Sequence, residues 1–162
     1  MPTACLDPGC FAVIDNDYAV FYLIHIMAIV SLTLSFFASA YIIWRCLFID
    51  KRYSKIGHRF PIYLSAFDLI LSITHSLDHW IIMFSQHFPQ ASLSAALGAC
   101  LHLFLGSPAL VVSVISVSLY LNMFHQWKIN FGRYDFALFS ICVGLPLIQV
   151  IIGLQFGAFG KP

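Results

Sequence analysis

His75 and His79, with Asp68 and Ser72 earlier in the same stretch, form the densest group of side chains in the chain that could do chemistry. At 100° per residue the four fall within about 60° of one another on a helix, so they make one polar stripe, and Asp78 adjoins it. Two imidazoles at i and i+4 match the spacing by which a helix face grips a metal, and His102 or Asp78 would complete a Zn²⁺ site with His75 and His79. Histidines on opposed helices could instead ligate a haem in a four-helix electron carrier. A third reading is a small-molecule pocket lined by His25, His75, Asp78, His79 and His102. A fourth is that these groups satisfy one another and nearby backbone.

Several enzyme classes are excluded by residue type. The chain has no glutamate, so Glu-dependent and di-iron carboxylate centres are ruled out, and its five cysteines include no Cys-x-x-Cys redox pair. A single His-x-x-x-His falls short of a membrane di-iron hydroxylase. Ser76 beside His75 has no accompanying oxyanion donors, so it does not read as a nucleophile. The expectation is a protein without catalytic activity or resident cofactor.

The elements that position the stripe are legible from hydropathy. Apolar stretches at 18–44, 60–84, 94–124 and 134–156 are each long enough to cross a bilayer as a helix. With 60% hydrophobic, 16% aromatic and only 9% charged residues, the chain is too apolar for a water-soluble domain. The fold class expected is all-α: a polytopic membrane bundle of four helices over 18–162, preceded by an N-terminal tail, 1–17. That tail lacks the basic and apolar regions of a cleavable signal peptide, which leaves the first helix as the insertion signal. The bilayer is then the main partner, and nucleic acid is not one. An ionisable group at membrane depth costs several kcal/mol unless it meets a partner, so the polar stripe is expected to face the bundle.

Charge orients the bundle. Arg45, Lys51, Arg52, Lys55 and Arg59 crowd the first linker and Lys128 and Arg133 sit in the third, whereas the second has neither Lys nor Arg. Basic linkers stay inside, so both termini are expected outside. The third span exceeds the hydrocarbon thickness, which predicts tilt or projection, and Gly106, Ser107 and Pro108 invite a kink. Gly144 and Pro146 repeat the device in the fourth span. Ser31, Ser35 and Ser39 recur every four residues in the first helix, and Gly153 and Gly157 form Gly-x-x-x-Gly in the fourth. Both patterns predict close helix–helix contact rather than a functional site.

Three cysteines, Cys5, Cys10 and Cys100, are expected outside, where an odd count leaves one unpaired. Cys46 lies at the inner end of the first helix, either buried or acylated, and Cys142 is expected as packing.

The second stretch reads RFPIYLSAFDLILSITHSLDH, with Asp68 in its inner half, after a short basic inner linker and before a long third helix opened by Cys100. With an outside N-terminus, this pattern resembles the first half of a seven-helix G-protein-coupled receptor. It is most similar to the fungal and amoebal receptors related to the cyclic-AMP and glucose-sensing groups, over nearly the whole chain from Tyr18. The third helix ends in LYLNMFHQW, without an Asp/Glu-Arg-Tyr triplet, and the first helix lacks the asparagine of the rhodopsin-like group. Both departures fit the fungal or amoebal group.

The resemblance implies a plasma-membrane receptor for an extracellular small molecule. It implies a ligand vestibule at Asp78, His75, His79, His102 and His25, and a polar network or sodium-like site at Asp68 and Ser72. It also implies a disulfide from Cys100 to an outer loop, and an inner surface for a heterotrimeric G protein including Lys51, Arg52, Lys55, Asn122 and His125. The last three helices of such a receptor would follow Pro162, so the chain is expected to be an amino-terminal half that does not signal alone. The alternative expectation is a four-helix membrane adaptor, or a metal or haem carrier.

Overall fold

The computed structural model describes residues 18–50, 56–85, 90–127, 129–132 and 135–159. Helix α1, Tyr18–Trp44, continues into a π-helical turn, Arg45–Asp50; α2 is Ile56–Ser85, α3 is Ala91–His125, α4 is Phe136–Cys142 and α5 is Gly144–Gln155. The described residues contain no strand, and α4 with α5 makes one crossing, so four helical segments are long and apolar enough to span a membrane. The expected all-α class and number of spans are therefore observed. The tail with Cys5 and Cys10, the cluster Lys51, Arg52 and Lys55, and Lys128 and Arg133 lie outside the described residues.

In hydrocarbon each backbone polar group needs a partner within the protein, and a helix supplies one for nearly every residue. Hydroxyls follow the same logic. Ser31, Thr33, Thr74, Ser107, Ser113 and Ser116 each donate to the carbonyl one turn back, at 2.7–2.9 Å.

Proline acts differently in the two spans where a kink is expected. α3 runs unbroken through Pro108 for 35 residues, about 52 Å, well beyond a ~30 Å hydrocarbon core. The fourth span does break. Val143, at φ −101° and ψ −38°, separates α4 from α5, and Pro146 has no N–H to offer the carbonyl of Cys142. The expected Gly-x-x-x-Gly seam is absent: Gly157 lies past the end of α5 at φ +62°, and Gly153 faces the ring of Phe159 rather than a helix.

The spans pack as a row. α1 lies chiefly on α2, α2 on α3, and α3 on α4 and α5. One buried apolar cluster forms where α2, α3 and α4 meet, around Val111, Leu138 and Cys142 with Phe131. Cys142 is the packing residue expected of it. Phe131 reaches the cluster because the chain reverses after α3: Gln126 ends the helix in the left-handed region at φ +55°, and Gly132 takes φ +80°, which glycine permits. Asn130 steadies this turn by accepting the Gly132 N–H at 3.0 Å.

Candidate functional site

The polar stripe of α2 faces α1. Asp68 accepts hydrogen bonds from Ser35 and Ser39, both to Oδ2, the first at 2.7 Å. The serines expected only to bring helices close are therefore donors to the one acidic side chain of α2's inner half. Ser31, the third of that repeat, turns back to the carbonyl of Met27 instead. One turn beyond Asp68, Ser72 is 1% exposed, and its hydroxyl finds no partner.

Two turns further, three imidazoles meet. The rings of His75 and His79 stack at 4.8 Å and 14°, and His25 of α1 meets His79 edge to face at 5.1 Å and 86°. His25 is held in turn by Phe21, through ring contact at 4.3 Å and a hydrogen bond from Nδ1 to the Phe21 carbonyl at 2.9 Å. Asp78, partly buried, is within electrostatic reach of His79. Beside the stripe, α1 and α2 leave an open groove of about 320 Å³ lined by Leu32, Phe36, Phe37, Ser72, Leu77 and Trp80.

His102 does not join this group. It points to α5, where Nε2 lies 3.2 Å from Oε1 of Gln149, with Phe159 at 6.0 Å. His75, His79 and His102 are thus not assembled, and among the described residues no three His, Cys, Asp or Glu side chains converge as a metal site. Stacked imidazoles also direct their nitrogens alongside one another rather than toward a shared point, which disfavours chelation by the i, i+4 pair. Cys100 carries a free, half-buried thiol, as does Cys46 within the π-helical turn. Asn122 and His125 are exposed at the far end of α3, where His125 lies beside Tyr120 and Trp127.

A second polar centre was not foreseen. Asp135, only 1% exposed and in the left-handed region at φ +56°, stands where an N-cap for α4 belongs, yet it makes no capping bond. Its carboxylate faces α2. Tyr63 donates to Oδ2 at 2.7 Å and Arg59 Nη2 donates to Oδ1 at 3.1 Å. Arg59 Nε is 3.0 Å from Oδ2, but its N–H is not aligned with that oxygen, so the contact there is one of charge alone. Arg59, expected as a loop cation, is instead part of α2 and bound. The signal available in the sequence was the i, i+4 spacing of Arg59 and Tyr63, which places both on one helix face.

Along α2, then, polar groups at one end bind α4 and those in the middle and at the other end bind α1. That arrangement can hold and relate two helix contacts; it offers no nucleophile–base pair and no convergent ligand set among the described residues. Comparison with protein-family models, curated proteins and solved structures found no match to this chain.

Proposed function

We propose that this chain is the first four helices of a seven-helix plasma-membrane receptor of the G-protein-coupled kind, with its N-terminus outside. The observation that supports this most is the division of contacts along α2: Asp68 and His79 engage α1, whereas Arg59 and Tyr63 engage Asp135 at the start of α4. A displacement of α1 on the histidine side changes the seat of the same helix whose opposite end holds α4. Such coupling between two membrane faces is what a signalling protein needs and what a passive anchor does not.

In this reading a small molecule acts on the side of His25, His75, Asp78 and His79. A heterotrimeric G protein meets the opposite side, through Lys51, Arg52 and Lys55 with Asn122 and His125. The exposed pair His102–Gln149 favours the same reading, since a polar pair at membrane depth calls for cover by further helices. The first test is the transcript beyond the codon for Pro162. Continuation in frame into a cysteine-bearing loop and three more apolar spans is the expected outcome, followed by nucleotide exchange on a G protein by the full-length product. A stop codon at that point, or a full-length protein inert toward every G-protein class, overturns the reading.

A further inference from the structure

At the α1–α2 contact, the surroundings of His25 and His79 dictate where each neutral ring carries its proton. The carbonyl of Phe21 can only accept, so the hydrogen bond at 2.9 Å places the His25 proton on Nδ1 and leaves the lone pair on Nε2. Nδ1 of His79 is buried with no hydrogen-bond partner. An unpartnered N–H in that position would cost more than a bare lone pair, so neutral His79 carries its proton on Nε2. His75 stacks on one face of this ring and His25 meets it from the other helix. The closed contact accommodates neutral rings. A proton on Nδ1 of His79 creates a buried donor without an acceptor, and a second proton on His25 or His75 sets two positive charges about 5 Å apart in a medium of low dielectric.

We propose that His25, His75 and His79 form a proton-binding site at the α1–α2 contact, and that protonation of the site separates α1 from α2. Among the described residues, the other charged and titratable groups that bear on it are few. Asp78, next to His79 on α2, lies within electrostatic reach of it, and Asp68, further along α2, is engaged by Ser35 and Ser39. On α3, which packs against the other side of α2, His102 is turned to Gln149. The aqueous route is short, because His79 lies six residues, about 9 Å, from the Ser85 end of α2. Protons bind the separated helices more tightly than the closed pair, so acidification on the Tyr18 side shifts the population toward separation; each tenfold difference in proton affinity moves the ratio by up to about tenfold. The proposal rests on the membrane-spanning helices and not on the receptor reading.

The test uses the full chain in lipid nanodiscs, with Cys5, Cys10, Cys46 and Cys100 replaced by serine and fully buried Cys142 retained. Spin labels are placed at the exposed positions Val20 of α1 and Phe84 of α2, through V20C and F84C, and their separation is measured by pulsed electron resonance from pH 7.5 to pH 5. A single short distance at high pH is expected to give way to a longer population at low pH. In His79→Phe, which keeps an aromatic ring and accepts no proton, the low-pH ratio of long to short is expected to fall about tenfold. His25→Gln reads the same contact from α1, and serves if the first variant does not insert. Distances that do not change with pH overturn the proposal, as does a shift that survives in both variants. No ligand or G protein enters the measurement, so its outcome is independent of the receptor's fate.

Discussion

The α1–α2 contact and the α2–α3–α4 junction are built by different means. The junction has Val111, Leu138 and Cys142 at 0% exposure, and it is closed by a buried carboxylate gripped by Arg59 and Tyr63. The α1 contact has Phe21 and Ser39 as its buried α1 residues, and it relies on hydroxyl-to-carboxylate bonds and imidazole rings. Only 6% of the most apolar window of α1 is buried inside the protein, against 22% for the fourth span. In a bilayer the difference matters, because lipid solvates an apolar helix as well as another helix does, and association depends on close packing and polar bonds. The junction, closed by a charged pair, is therefore expected to hold more firmly than the α1 contact, which rests on hydroxyl bonds and rings.

The largest expected effect tests the junction. Asp135→Ala strands a guanidinium and a phenol, and is expected to cost about 3 kcal/mol; Arg59 retains 27% side-chain exposure, which keeps the loss at the low end for a broken buried pair. Unfolding in mixed micelles measures it, and a loss smaller than that of any α1 variant would reverse the ranking of the two regions. Leu138→Ala is next, at about 2 kcal/mol from the cavity left in the cluster, while Leu34→Ala, at 67% exposure, is expected to change nothing in the same assay.

The α1 contact should yield smaller numbers. Asp68→Ala frees Ser35 and Ser39, which can turn to the carbonyl one turn back as Ser31 and Thr33 do, so the expected loss is about 1 kcal/mol. Asp68→Asn retains an acceptor oxygen and should cost less still, shifting the balance of helix positions rather than membrane insertion. A wholesale loss of expression for Asp68→Asn would show that the contact holds as firmly as the junction.

The smallest loss above zero lies at the end of α5. A Cβ on Gly153 would stand 2.6 Å from the Phe159 ring, so Gly153→Ala is expected to displace that ring at a cost of about 0.5 kcal/mol. Combining it with Phe159→Ala should abolish the penalty. A penalty that persists in the double variant would place the strain in the backbone of α5.

Much of this was legible in the order of residues. Apolar runs of about twenty residues or more, separated by short linkers, determine four helical spans, because a helix satisfies the backbone of so long a continuous apolar run within the run itself. Periodicity placed Asp68, Ser72, His75 and His79 on one face, and that face is the one α1 covers. What periodicity cannot specify is which neighbour covers a face, since any apolar helix serves lipid and protein equally. Only the tertiary arrangement decided that Ser35 and Ser39 bond Asp68, that His102 leaves the histidines for Gln149, and that Asp135 serves Arg59 and Tyr63 instead of capping α4. These are contacts between residues 29 to 76 positions apart. Their partners are set by how the helices pack as a row, a property of the folded chain and of no local pattern within it.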